Sequence, residues 1–145
     1  MHFMLVAALL TTAAPAAAVD HVVRVDHHAG PVDARYRGSV AVAHRQVGAV
    51  GPAGRPSTLR CHWRADLAVE RVASLPTGTA ARSFGRDAVF AGSRPGWCEA
   101  SRAAIARDVA SRVDELRGHV RALAQEDHAP LRAELDRLHA ERRAG

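Results

Sequence analysis

The sequence predicts an α+β domain, in which an antiparallel β-hairpin or small sheet of three to four strands carries a C-terminal helical hairpin on one face. Two observations predict this class. Apolar and polar side chains alternate over residues 32–45 and 58–72, and from residue 99 the apolar ones recur every three to four positions. A third observation, one pair of cysteines, adds a single disulfide. Neither half can bury its apolar face alone, so we expect the helices to pack on the sheet.

The first 18 residues have the features of an export signal. An apolar run over residues 3–10 leads through Pro15 into three alanines, whose small side chains an export peptidase accepts. We predict cleavage after Ala18, although the segment before the apolar run holds no Lys or Arg. The run is shorter than the roughly 20 residues that span a bilayer. We therefore expect no transmembrane segment after signal removal.

Residues 19–145 are expected to form one domain, with a strand half at 19–98 and a helical half at 99–145. Its core must be thin, because 26 of these residues are Val, Ile, Leu or Phe while 24 are Ala, which contributes little on burial. The chain has Arg but no Lys, which is typical of a GC-rich bacterial genome. Together with the signal, this composition predicts a periplasmic or secreted bacterial protein.

Two long strands and one short strand are predicted in the strand half. Residues 21–46 are extended with a break at Gly30 and Pro31, and residues 58–72 form the second long strand after a Gly- and Pro-rich loop. Residues 74–96 hold several Gly and Pro, and only residues 88–91 are predicted as a strand. The face predicted to be buried carries Val32, Ala34, Tyr36, Gly38, Val40, Val42, Leu59, Cys61, Trp63, Ala65, Leu67 and Val69.

The longest helix is predicted over residues 99 to about 126. Asp127 and Pro130 end it, and leucines at 131, 135 and 138 begin a second helix. The apolar stripe could serve as a coiled-coil seam for a partner, but we expect it to pack on the sheet. This stripe consists of Ile105, Val109, Val113, Leu116 and Val120.

Cys61 and Cys98 are predicted to form a disulfide. In an oxidising compartment, two cysteines permit only one intramolecular pairing. The alternation places Cys61 and Trp63 on the buried face, and Cys98 lies just before the first helix. The bond would pin that helix to the sheet. Metal-binding or redox thiols are the alternative, but the sequence contains no C-x-x-C motif.

The excess positive charge lies in the strand half. Residues 19–98 hold eleven Arg and six acidic residues, whereas residues 99–145 hold nine of each. The polar strand face is predicted to display Arg35, Arg37, Arg60 and Arg64, which would bind anionic lipid headgroups or lipopolysaccharide phosphates. The alternative interpretation is a solvated face enriched in Arg by codon usage. Nucleic acid is not expected, because of the compartment and because no exposed aromatic residues accompany the arginines.

Nine histidines raise the alternative of a periplasmic metal-binding protein. Asp26, His27 and His28 are the most suggestive cluster. Adjacent residues on a strand point to opposite faces, however, so His27 and His28 could share one ion only at a bend. We therefore predict no metal ligands from the sequence.

No motif for catalysis or for cofactor binding is present. The segment from Gly92 to Gly96 lacks the spacing of a nucleophile elbow, and the loop at residues 47–56 lacks the lysine of a phosphate-binding loop. The sequence therefore predicts no catalytic residue and no cofactor. It favours a binding or envelope-accessory module, for an anionic envelope component or a protein partner, over an enzyme. A small hydrolase with an unrecognised site stays as an alternative.

Overall fold

The computed structural model describes residues 15–76 and 78–145. Four antiparallel strands form one sheet in the order β1-β2-β3-β4, and three helices cover one of its faces. The predicted α+β class is confirmed. The elements are β1 (Ala17–Val25), β2 (Val32–Val47), β3 (Arg60–Leu75), β4 (Gly78–Pro95), α1 (Cys98–Ser111), α2 (Val113–Glu126) and α3 (His128–Ala144).

Strand alternation correctly predicted which face of the sheet is covered. Every residue assigned to the buried face of the two long strands is buried, apart from the half-buried Val42. The opposite side, which includes Arg35, Arg37, Arg60 and Arg64, is exposed and is called the open face below. A sheet with one dry and one wet face is the arrangement expected when antiparallel strands alternate apolar and polar residues.

Strand β4 is far longer than the predicted strand at residues 88–91. Its glycines do not interrupt it. At Gly92 the absence of a side chain is required, because a Cβ there would lie 2.9 Å from the Trp63 indole. A β-bulge interrupts the pairing with β3 between Ala65 and Leu67. At this bulge Ala88 has a positive φ of 49°, and its backbone N–H donates to Asp66 Oδ1 at 2.8 Å.

The predicted long helix is in fact two helices of 14 residues, so α3 with 17 residues is the longest. At the break, the Arg112 N–H donates to the Val109 carbonyl at 3.1 Å, a tighter turn than an α-helix makes. The break lets α1 pack mainly on β3 and β2 while α2 packs mainly on β1. The stripe faces the sheet as predicted: all of its residues are buried except the half-buried Val113.

The predicted disulfide between Cys61 and Cys98 is present. It joins the second residue of β3 to the first residue of α1, across a separation of 37 residues. Gln46 adds a polar link at the same place: its Oε1 accepts from the Cys98 N–H at 2.6 Å, and its Nε2 donates to the Gly96 carbonyl at 3.1 Å. The start of the helical layer is therefore tied to the sheet covalently and by hydrogen bonds.

A buried arginine on β3 links the sheet to the junction of α2 and α3. Arg71 is fully buried, and its Nε lies 3.1 Å from Oδ2 of Asp127, the residue that ends α2 and precedes α3. Its Nη2 donates to Glu134 Oε2 at 2.7 Å. A charged residue is rarely buried without such partners. Arg71 thus sits on the covered face because two carboxylates from the helical layer meet it there.

Two further side chains complete this network around Asp127. Arg82 Nη1 donates to Asp127 Oδ1 at 2.8 Å, and the Tyr36 hydroxyl donates to Oδ2 at 3.1 Å. Burial and the adjacent Asp127 carboxylate raise the pKa of Tyr36 well above its usual value, so its hydroxyl stays protonated. Both oxygens of the buried Asp127 carboxylate therefore have a donor.

The predicted signal overlaps the start of the sheet. Its residues 1–14 lie outside the described part of the chain, while Ala17 and Ala18 pair with Val40 and Ser39. Cleavage after Ala18 would remove these two paired residues from β1. Among the described residues, none of the helices combines the length and the apolar character needed to cross a membrane.

Replacing Arg71 with Met should lower the free energy of unfolding by about 3 kcal/mol, because Asp127 would stay buried without its central cation. Urea unfolding followed by tryptophan fluorescence measures this. Arg24→Met is the control, since Arg24 and Asp33 form an exposed pair 3.9 Å apart that should contribute little. Equal stability of the two variants would show that the buried network does not hold the layers together.

The double substitution Cys61→Ala and Cys98→Ala should destabilise the domain by about 2 to 5 kcal/mol, since the bond restricts the unfolded chain. Chemical reduction of the wild type should produce the same loss in denaturant unfolding. A thiol assay on the native protein should detect no reactive thiol. Two reactive thiols in that assay would contradict the pairing.

Candidate functional site

The strand register separates the four predicted anion-binding arginines into two pairs. Arg35 and Arg37 lie opposite Val72 and Glu70, whereas Arg60 and Arg64 lie opposite Val47 and Ala43. Six positions along β2 separate residue 37 from residue 43, which is about 20 Å at the usual rise of a strand. The four predicted arginines therefore form two separate pairs on the open face and not one cluster.

The pair formed by Arg35 and Arg37 lies among carboxylates. Arg37 Nε is 3.2 Å from Asp20 Oδ1, and Glu70 lies directly across from Arg37 on β3. A further exposed ion pair joins β1 and β2 nearby, between Arg24 and Asp33. The positive charge at this end of the open face is therefore largely compensated.

The other end of the open face is more basic. Arg45 lies directly opposite His62, and the flanking register positions place Arg60 and Arg64 diagonally on either side of it. We call these four residues the disulfide end, since Arg60 and His62 flank Cys61. A shallow cavity of about 410 Å³ opens here, lined by Ala43, His44, Arg45, His62, Trp63 and Arg64.

One carboxylate is ion-paired to the disulfide end within the described part of the chain. Asp66 Oδ2 lies 3.2 Å from Arg64 Nε, while its Oδ1 accepts from the N–H of Ala88. Arg60 Nε donates to the neutral Ser93 hydroxyl at 3.0 Å. Arg45 follows Arg35 and Arg37 at even spacing along β2, which places it on the same polar side, and the register places it between Arg60 and Arg64.

A second cluster of polar side chains joins the turn between β1 and β2 to helix α3. His27 Nε2 lies 2.8 Å and His28 Nδ1 3.6 Å from Asp136 Oδ1. The ligand-type atoms of these three residues all lie within 4.8 Å of one another. The His139 ring stands edge-on to His28, with ring centroids 4.9 Å apart. We call these four residues the histidine cluster.

The turn brings together two histidines that were expected to point apart. His27 and His28 lie after the end of β1, in a tight turn closed by a hydrogen bond from the Gly30 N–H to the His27 carbonyl at 2.9 Å. Gly30 has a φ of 121°, a conformation that favours glycine. The bend that the strand argument required is therefore present, and the two rings lie 4.0 Å apart between centroids.

Sequence reasoning missed the contribution of α3 to the histidine cluster. Asp136 and His139 are three residues apart, a spacing that places two side chains on one face of a helix. That spacing was a detectable signal. Their approach to His27 was not, because 109 residues separate His27 from Asp136.

The surroundings of Asp136 and His139 lower the pKa of both side chains. The hydrogen bond from His27 lowers the pKa of Asp136 below its usual range, and the nearby imidazoles add to this effect. Partial burial lowers the pKa of His139, and the neighbouring His28 and Arg143 lower it further. A carboxylate and neutral imidazoles are the forms that ligate metal ions.

The disulfide end and the histidine cluster lie at opposite ends of β2, so a ligand at one would leave the other accessible. The hydrolase alternative stays a prediction without a named site. Comparisons of this chain with protein-family models, with curated proteins and with solved structures found no match.

Proposed function

We propose that this chain is an exported module that binds a phosphate-bearing component of the bacterial envelope through the disulfide end of its open face. The observation that carries the proposal is the position of Arg45 opposite His62 and between Arg60 and Arg64. The proposal keeps Arg60 and Arg64 from the predicted set and adds Arg45. It leaves Arg35 and Arg37 at the compensated end.

Arginine chemistry supports a phosphate ligand. A guanidinium group offers a planar fork of N–H donors that matches two oxygens of a phosphate. The described contacts of Arg60 and Arg64 engage Nε, which leaves the Nη groups to face a ligand. Like charges on adjacent strands are mildly destabilising, and a bound anion would offset that repulsion.

The shape of the disulfide end suits a headgroup better than an extended polymer. The cavity lies within the size range of small-molecule sites, and the side chain of Ala43 leaves room between Arg45 and Arg64. Lipid headgroups and lipopolysaccharide share the phosphate chemistry that this site would recognise. Free inorganic phosphate can be added as a competitor. It should displace the ligand if the site recognises an individual phosphate group, and it should have little effect beyond that of its ionic strength if the protein recognises only a charged surface.

The mature protein should bind vesicles that contain anionic phospholipid and not vesicles of neutral phospholipid. Binding should weaken as the salt concentration rises past about 0.15 M, where the screening length is roughly 8 Å. The double variant Arg45→Gln and Arg64→Gln should bind about thirtyfold more weakly, since each arginine near an anionic surface contributes about 1 kcal/mol. Vesicle co-sedimentation across a salt series measures both effects.

Arg35→Gln with Arg37→Gln is the matched control, because it removes the same charge from the other end of the same face. We expect this control to stay within about threefold of the wild type. Equal losses in the two double variants would indicate that net charge, and not the disulfide end, drives binding. No binding by the wild type at low salt would leave a solvated, arginine-rich face as the correct interpretation.

A further inference from the structure

We infer that His27, His28, Asp136 and His139 form a site for one borderline divalent transition ion of the Zn²⁺, Ni²⁺ or Cu²⁺ class. Imidazole suits all three ions, and one carboxylate among imidazoles is a donor set that Zn²⁺ accepts. The site uses none of the arginines of the open face. The inference therefore stands independently of the proposed anion binding.

Three of the ligands are already close to the required positions. The ligand atoms of a tetrahedral zinc ion lie about 3.3 Å from one another. The distances from Asp136 Oδ1 to His27 Nε2 and to His28 Nδ1 are 2.8 Å and 3.6 Å, on either side of that value. Both of these distances lie within about 0.5 Å of that value. The ligand atoms of His27 and His28 lie within 4.8 Å of each other, so the two imidazoles must adjust toward the ion as it binds.

His139 lies beside this group of three residues and becomes the fourth ligand when its side chain turns toward the ion. Two imidazoles bound to one tetrahedral ion have ring centroids about 5 Å apart. The centroid of His139 lies 4.9 Å from that of His28 and 6.2 Å from that of His27. His139 shares a helical face with Asp136, so one rigid helix would supply two of the four ligands.

Binding of the ion requires a change of tautomer at His27. In the ion-free arrangement Nε2 donates to Asp136, while Nδ1 accepts from the Ala29 N–H at 3.2 Å. A neutral imidazole ligates through its unprotonated nitrogen, so the Nε2 proton must move to Nδ1. The Ala29 N–H then loses its acceptor on His27 and donates to solvent water instead, since Ala29 is exposed.

The histidine cluster is shielded from solvent on one side and open to solvent on the other. The side chain of His27 is 4% exposed, whereas those of His28 and Asp136 are about 60% exposed. A cavity of about 170 Å³ beside the cluster has an apolar wall that includes Pro31, Leu75 and Leu138. An ion can therefore enter from solvent and be held against a packed side.

Titration of Zn²⁺ into the untagged, chelator-treated mature protein should show one ion bound per chain by calorimetry. Because the ion would link the β1–β2 turn to α3, it should raise the melting temperature by roughly 5 °C or more at saturation. In NMR spectra, the Ala29 amide should exchange faster with solvent when Zn²⁺ is bound. Ni²⁺ and Cu²⁺ should compete for the same site.

Variants of His28 and His139, which lie outside the buried core, test the assignment without disturbing the packing of the domain. His28→Gln and His139→Gln should each weaken Zn²⁺ binding at least about tenfold, and the double variant should lose stoichiometric binding. His128→Gln removes an exposed histidine from the same helix outside the cluster, so it should bind like the wild type. Circular dichroism should show the same fold for all variants.

Three results would overturn the inference. The first is no stoichiometric Zn²⁺ binding by the wild type. The second is equal weakening in the His28, His139 and His128 variants, which indicates scattered surface histidines. The third is stoichiometric binding that survives in the double variant. None of these results bears on vesicle binding, which depends on the arginines at the other end of β2.

Discussion

The buried contact between Arg71 and Asp127 decides how the two layers of this domain fit together. Arg71 projects from a central strand, and Asp127 is the residue at which α2 ends and α3 begins. This contact fixes where the junction of α2 and α3 lies above the sheet. Nine residues further along, Asp136 is then carried to the β1–β2 turn. The histidine cluster therefore depends on a charge pair that lies outside it.

The disulfide acts at the other end of the helical layer. It fixes the start of α1 on β3, while the network around Asp127 fixes the junction of α2 and α3. Between these two anchors, the apolar stripe packs on a sheet with many small side chains. Val120, for example, packs against Gly38 of β2, where any Cβ would collide with it. A thin core is sufficient because a covalent bond and a buried ion network act at its two ends.

The two periodicities in the sequence predicted the faces of the long strands and the helical stripe, and the cysteine count predicted the pairing of Cys61 with Cys98. Register is a tertiary property, and it separates Arg37 from Arg64, which alternation alone placed on one face. Arg71 follows the alternation of the covered face, but the burial of its charge depends on carboxylates of the distant helical layer, which alternation does not encode. The Gly and Pro content of residues 74–96 predicts only a short strand, whereas the missing side chain of Gly92 makes room for Trp63 within a long one. The histidine cluster depends on contacts between distant segments, which no local pattern encodes.

The bulge at Ala88 also affects how the domain meets other chains. Strand β4 is an edge of the sheet and 18 residues long, so its unpaired backbone groups could template a strand of another molecule. The bulge divides that edge into two shorter segments, and Arg86, Asp87 and Arg94 place charges along it. The interrupted, charged edge therefore limits edge-to-edge aggregation between copies of the chain.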